Sequence, residues 1–141
     1  MPSPLLSRFL RYVQIDTTSD DDSKTTPSTA RQWDLLRPLR DELTALGASD
    51  VELTEHGFVL ATLPATSRRK NIPTVAFFAH VDTVAAFSGH HVKPIVQKNY
   101  NGKTIRLPDD KTQVIDPEEY PELKTAVGKE VVTASGKTLL G

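Results

Sequence analysis

The sequence contains no cysteine in its 141 residues. Disulfide bonds and thiolate metal ligands are therefore excluded, and any bound metal ion must be held by His, Asp or Glu side chains. A chain without cysteine is compatible with a reducing compartment, and we expect a cytoplasmic protein.

Neither sign of charge is in excess, and the sequence has no long apolar run. The net charge is -1 with 25% charged residues, so there is no electrostatic reason to expect binding to nucleic acid or to an anionic membrane. Residues 1–14 are amphipathic but soon interrupted by charge, and they lack a small-residue cleavage site. We therefore expect neither a signal peptide nor a membrane span. The sequence also lacks a glycine-rich phosphate loop and a nucleophile elbow.

The length corresponds to about one domain, and two helices are predicted in its first third. Ser3 suits an N-cap and Pro4 suits the first helical position. Thr29 and Gln32 have the spacing of a capping box, which begins a second helix that runs to about residue 46, before Gly47.

Pro38 lies inside the second predicted helix. A proline there removes one hydrogen bond and clashes with the carbonyl of Asp34, at a cost of roughly 3 kcal/mol. The sequence therefore predicts a kink or a break near Asp34.

Short strands are predicted along the rest of the chain. Residues 51–55 and 58–63 form a predicted hairpin around the turn at His56 and Gly57. Residues 92–97 and 103–107 are predicted strands on either side of a turn at Asn101-Gly102, and a further strand precedes the turn at Ser135-Gly136. Together these elements predict α/β architecture, with three layers.

An unbroken apolar run at residues 75–79 predicts a strand covered on both faces, as in the middle of an α/β sheet. His80 and Asp82 follow it, and functional sites in such sheets lie beyond the carboxyl ends of the strands. In extended backbone the two side chains point to the same side. The carboxylate can then accept the free N–H of the imidazole and increase its basicity as a metal ligand.

The pattern His-x-Asp alone leaves a second interpretation open, a hydrogen-bonded histidine without chemical function. Zinc generally needs at least three protein ligands, and the other histidines do not complete a site. His56 is predicted at an exposed turn. His90 and His91 are adjacent, so in a strand they would face opposite ways. The basic cluster at residues 68–70 is interpreted as solvated surface.

Several blocks of sequence carry a resemblance to a known family. They are RFLRYVQIDTTSD, PSTARQWDLL, VAFFAHVDT, KPIVQKNYNGKTIRL and TASGKTLLG, in that order. Together they resemble the N-terminal part of the tripeptide aminopeptidases (the peptidase T branch) of the M20 family of zinc peptidases. The strand with HVDT would alone indicate only the broad M20 family.

The resemblance implies a role for each matching residue. His80 matches the first histidine ligand of a two-zinc site, and Asp82 matches the catalytic aspartate that supports this ligand. The implied reaction is hydrolysis of the N-terminal residue from short peptides, mainly tripeptides. The implied fold is the N-terminal portion of a three-layer α/β/α zinc-peptidase catalytic domain.

The resemblance also implies that residues 1–141 are a truncated part of that catalytic domain. In the family the block GKTLLG leads into Ala-Asp-Asp-Lys, whose first aspartate bridges both zinc ions, whereas this sequence ends at Gly141. These residues also lack the later ligands, the glutamate that serves as general base and the lid or dimerisation domain of the family. The resemblance implies a homodimer for the full-length parent. We therefore expect this chain alone to be inactive.

Two other functions stay open at this stage. One is a different M20-type enzyme, a dipeptidase or a deacylase. The other is a non-catalytic α/β module that keeps the helices and strands without the site.

Overall fold

A computed structural model describes residues 3–138 and residue 140. The chain divides into two compact units, one of residues 17–84 and one of residues 1–16 together with 85–141. Its helices are α1 (Pro4–Tyr12) and α2 (Trp33–Ala45), with two 3₁₀ helices at Ala30–Gln32 and Pro121–Ala126. Its strands are β1 (Ser49–Leu53), β2 (Val59–Thr62), β3 (Ile95–Gln97), β4 (Ile105–Arg106), β5 (Val114–Ile115) and β6 (Val131–Thr133).

Helix α1 begins as its sequence predicts. The Ser3 hydroxyl accepts a hydrogen bond of 3.1 Å from the backbone N–H of Leu6, and Pro4 occupies the first helical position. The helix ends at Tyr12, and Val13, which follows, is buried. A local capping signal therefore suffices to place this helix.

Helix α2 runs without interruption through Pro38, so a break near Asp34 is wrong, while a kink there stays a prediction. The change in helical geometry lies earlier, where the 3₁₀ helix Ala30–Gln32 meets Trp33. Leu35 and Leu36 are the buried residues of α2. Their burial helps to offset the hydrogen bond that Pro38 cannot make.

The predicted capping box is not formed. Thr29 precedes the 3₁₀ helix, but its side chain makes no capping hydrogen bond. Its hydroxyl instead donates to the carbonyl of Thr18 at 2.9 Å, while the Gln32 amide donates to the Ser28 hydroxyl at 3.1 Å. The Thr29 hydroxyl, which the local pattern assigned to the helix cap, is therefore bonded to Thr18, eleven residues away in the chain.

Strands β1 and β2 form the predicted antiparallel hairpin, in the unit of residues 17–84. Gly57 makes the turn at φ +77°, a left-handed conformation that favours glycine. There is no room for a side chain at this turn, because a Cβ atom on Gly57 would lie 2.5 Å from Cγ of Pro27.

The predicted central strand at residues 75–79 is wrong. No strand is assigned between residues 63 and 94, and no described strand pairs with this segment. Its large side chains are exposed instead of covered, with Val75 70%, Phe77 94% and Phe78 93% accessible. A buried strand needs neighbours on both edges and both faces, and the described part of this unit supplies none to residues 75–79.

The unit of residues 1–16 and 85–141 contains two small antiparallel sheets, β3 with β6 and β4 with β5. The position of the turn at Asn101-Gly102 suggested that it joins two paired strands. It does not, because β3 and β4, on either side of it, pair with other strands. Pro121 begins the second 3₁₀ helix and does not interrupt it. The buried residues of this unit include Val92, Tyr100, Ile105 and Thr133.

Helices and small antiparallel sheets are compatible with the predicted α/β class. The three-layer arrangement stays a prediction. Within the described residues, no helix has the length and apolar character to cross a membrane.

Candidate functional site

His80 and Asp82 lie together, as the sequence predicts, and the main chain makes the shorter contact. Nδ1 of His80 is 2.7 Å from the backbone carbonyl oxygen of Asp82. The Asp82 carboxylate oxygen Oδ1 is 3.4 Å from the same nitrogen. The sequence predicted that the Asp82 carboxylate orients the imidazole. In the structure the main-chain carbonyl of Asp82 makes the closer contact, and the carboxylate lies next to it.

This contact determines which ring nitrogen of neutral His80 carries the proton. A carbonyl oxygen can only accept a hydrogen bond, so Nδ1 must be the donor and Nε2 keeps its lone pair. The His80 side chain is 83% exposed and that of Asp82 is 48% exposed. The arrangement thus presents a free imidazole nitrogen to an incoming ligand such as a metal ion.

Thr83 anchors the chain immediately after the pair. Its N–H donates to the carbonyl of Thr17 at 3.2 Å, and its carbonyl accepts from the N–H of Ser19 at 2.9 Å. The Ser19 hydroxyl donates to the same carbonyl at 3.0 Å. These bonds form a parallel bridge between Thr18 and Thr83, which ties the site to the loop after α1.

This anchor is the part of the site that the sequence did not predict. No element was predicted between the two helices at residues 16–28, and Thr83 was not among the predicted site residues. Thr17 is almost fully buried, at 2% exposure, and Thr83 Oγ1 is buried without a hydrogen-bond partner among the described residues. The available signal was the pair of adjacent β-branched threonines at 17 and 18, which is typical of a short extended segment.

The remaining histidines lie elsewhere. His56 is at the exposed hairpin turn, as predicted. Its Nε2 lies 3.7 Å from a carboxylate oxygen of Glu55. His90 and His91 lie in a turn and not in a strand, and their ring centroids are 3.7 Å apart. The condition under which they would face opposite ways, a strand, is therefore not met. His90 Nδ1 is also 3.7 Å from a carboxylate oxygen of Asp16.

The described residues fit part of a zinc site. His80 has the free nitrogen and the supported orientation that a metal ligand requires. Residues 3–138 and 140 contain no group of three or more His, Asp or Glu side chains that could hold a metal ion. The pair therefore fits one ligand and its support, and no reaction step through a metal follows from it.

Comparison with known proteins gives a consistent result. No protein-family model matches the chain. Peptidase T of Geobacillus thermodenitrificans is 45% identical over 141 residues, which are 100% of this chain and 34% of the relative. Peptidase T of Alkaliphilus oremlandii is 46% identical over 138 residues, 97% of this chain and 34% of the relative. Peptidase T of Staphylococcus epidermidis is 45% identical over 141 residues, again 34% of its length.

The chain thus spans about a third of the length of the curated relatives it matches. The similarity extends over essentially all of its residues and includes the blocks on which the family resemblance was based. The resemblance of this chain to part of peptidase T is thereby confirmed.

Proposed function

We propose that the complete protein containing these residues is a zinc-dependent aminopeptidase that releases the N-terminal residue from tripeptides. The observation that carries this proposal is the position of His80. The hydrogen bond between its Nδ1 and the Asp82 carbonyl leaves its Nε2 free. All 141 residues of the chain that contains it are similar to about a third of peptidase T. The same similarity supports short peptides as substrates.

His80 is proposed as one ligand of a two-zinc site. The main-chain carbonyl of Asp82 holds the ring in the tautomer that leaves Nε2 available. The bridge at Thr83 holds that carbonyl in place, because it begins one residue later. Zinc, when bound, would polarise the peptide carbonyl and lower the pKa of a water molecule.

Asp82 is proposed as a positioning residue. Its carboxylate oxygen lies 3.4 Å from Nδ1 of His80, so its negative charge is on the side of the imidazole opposite the proposed ligand atom Nε2. Such a charge favours the electron-rich imidazole that binds a cation well. The neutral amide of asparagine in the same place would preserve the shape and remove the charge.

The other ligands and the general base are proposed to come from the rest of the complete protein. Zinc generally takes three protein ligands in a catalytic site, and the described residues supply one. Residues 1–141 are accordingly proposed as the first part of the catalytic domain. A cytoplasmic location and a homodimer belong to the same proposal for the complete protein.

A chimera tests this function. In it, the 141 residues replace the matching third of the Geobacillus thermodenitrificans peptidase T, and that enzyme itself is the positive control. We expect zinc-dependent release of the N-terminal residue from a tripeptide, abolished by a chelator. A folded, zinc-loaded chimera that leaves tripeptides intact would overturn the proposal. Cleavage of dipeptides or acylated amino acids in their place would support another M20-type enzyme.

A further inference from the structure

A single peptide group, the one that joins Asp82 to Thr83, links the imidazole of His80 to the loop after α1. Its carbonyl oxygen, on Asp82, accepts the bond from Nδ1 of His80. Its N–H, on Thr83, donates to the carbonyl of Thr17 at 3.2 Å. Because a peptide group is planar and rigid, the direction of its N–H fixes the direction of its carbonyl. The bond to Thr17 therefore helps to hold the acceptor that orients the imidazole.

The next carbonyl along the chain, that of Thr83, is held by Ser19. Ser19 donates to it twice, through its N–H at 2.9 Å and through its hydroxyl at 3.0 Å. A carbonyl oxygen has two lone pairs, so these two bonds use its full capacity as an acceptor. Thr83 is thus bound on both sides, its N–H to Thr17 and its carbonyl to Ser19. Only the hydroxyl bond comes from a side chain, so a mutation can remove it while the two main-chain bonds remain possible.

The segment that binds Thr83 is itself held from the start of the helical region. The Thr29 hydroxyl, which precedes the first 3₁₀ helix, donates to the carbonyl of Thr18 at 2.9 Å. Thr17 is buried at 2% exposure. All these residues belong to the same compact unit as His80. A continuous series of hydrogen bonds therefore connects a helix start with the imidazole.

We propose that Ser19 is a positioning residue for His80, a role that rests on the proposed function of His80 as a zinc ligand. Its hydroxyl strengthens the hold on Thr83, which keeps the peptide group between Asp82 and Thr83 in one direction. The His80 side chain is 83% exposed, so packing restrains its ring little and hydrogen bonds have to do so. A ligand that is already oriented loses less conformational freedom when the metal ion binds.

Another hydroxyl of the same loop provides the comparison. The Ser23 hydroxyl lies 3.0 Å from the hydroxyl of Thr25 and accepts a bond from the Thr25 N–H at 3.2 Å. These bonds stay within the loop, whereas the Ser19 hydroxyl reaches a carbonyl 64 residues away in the chain. If Ser19 only stabilised the loop, removing either hydroxyl would have the same kind of effect. Ser23→Ala is therefore the matched control for Ser19→Ala.

Zinc affinity of the chimera, measured by competition with a chelator, is the first test. Ser19→Ala should bind zinc about two- to tenfold more weakly, the net effect of one neutral hydrogen bond. Ser19→Thr, which keeps a hydroxyl, should restore the affinity, and Ser23→Ala should not change it. The affinity is measured per folded molecule, so a smaller amount of folded protein does not alter it. Equal affinities in Ser19→Ala and wild type, or an equal loss in Ser23→Ala, would overturn the proposal.

Amide hydrogen exchange in the metal-free chimera is the second test, and it needs neither zinc nor activity. Ser19→Ala should speed exchange of the Thr83 N–H by a similar factor, and Ser23→Ala should not. Thr29→Val, which removes the bond to Thr18, is a second variant and should also speed this exchange. A wild-type chimera that binds no zinc would overturn the proposed function, whereas faster exchange at Thr83 would still support the hold of Ser19 on this peptide. Unchanged exchange at Thr83 in Ser19→Ala would overturn the role of Ser19, even in a chimera that hydrolyses tripeptides.

Discussion

Nδ1 of His80 donates to the main-chain carbonyl of Asp82 at 2.7 Å, while the carboxylate of the same aspartate lies 3.4 Å away. The imidazole is thus oriented mainly by backbone, which any residue at position 82 would supply. The carboxylate adds charge. These two contributions can be separated by mutation, because asparagine keeps the first and loses the second.

The tautomer of His80 is the first prediction. Neutral His80 should carry its proton on Nδ1 in the wild type and also in Asp82→Asn, because the carbonyl acceptor remains in both. Nitrogen-15 NMR of the histidine ring nitrogens distinguishes the two tautomers directly. A shift of the proton to Nε2 in Asp82→Asn would show that the carboxylate, and not the carbonyl, determines the tautomer.

The positioning role of Asp82 gives the second prediction, in the chimera described above. Asp82→Asn should keep most of the zinc but lower the rate of tripeptide hydrolysis, since changes behind a metal ligand typically cost roughly 10–100-fold in affinity or activity. Zinc content and kcat are measured on the same preparation. If the rate falls only in proportion to the amount of folded protein, Asp82 has a structural role and not a positioning role.

Zinc binding by the 141 residues alone is the third prediction. We expect weak binding and no peptidase activity, because the described residues bring no three metal-binding side chains together and a catalytic zinc site usually needs three. Titration with zinc by calorimetry and a tripeptide assay provide the measurements. Metal-dependent cleavage that is abolished by a chelator and by His80→Ala would show that these residues contain a complete site.

Asp110 provides a prediction about pH. Hydrogen bonds from the Thr112 hydroxyl, at 2.6 Å, and from the Thr112 N–H, at 3.0 Å, lower the pKa of Asp110 below its ordinary 3.8. Because the pKa is lowered in the folded state, the stabilising contribution is present above the ordinary pKa and is lost as the pH falls through the folded one. Thr112→Val should raise the pKa of Asp110 towards 3.8 in an NMR titration. Asp116, whose pKa is lowered by the Glu118 N–H and the Thr104 hydroxyl, should be unaffected and is the internal control.

Two glycines form a matched pair for stability. Both have positive φ, +83° at Gly47 and +77° at Gly57, so alanine at either should cost about 1–2 kcal/mol in conformation. A Cβ atom on Gly47 would meet nothing within 4 Å, whereas one on Gly57 would lie 2.5 Å from Pro27 and 3.2 Å from Leu36. Gly57→Ala should therefore cost about 1–3 kcal/mol more. Urea unfolding of both variants measures this difference, and equal losses would contradict the packing described around the hairpin turn.

The parts of the fold that were predicted correctly depend on neighbouring residues. Ser3 and Pro4 begin α1 through local bonds, and Gly57 makes a turn because of its own backbone freedom. The pairing of β3 with β6 joins residues more than 30 positions apart, such as Gln97 and Val131, and no local pattern indicated it. Thr29 was assigned to a cap but bonds Thr18.

The candidate site also combines a feature set by neighbouring residues with features that depend on distant ones. The relation between His80 and Asp82 is local and could be predicted from their spacing. The strand expected to support them at residues 75–79 needs distant partners, and it is exposed in this structure. The bridge that does anchor the pair, between Thr18 and Thr83, joins segments 65 residues apart in the chain, which composition could not indicate.

Zinc content of the chimera is the most direct test of the central claim, that His80 is a metal ligand. The variants are His80→Ala and, as a control, His56→Ala, since His56 lies at an exposed turn. Metal analysis of the purified, folded proteins should show reduced zinc per chain in His80→Ala and an unchanged amount in His56→Ala. Full zinc occupancy in His80→Ala, with wild-type tripeptide hydrolysis, would contradict the assignment of His80.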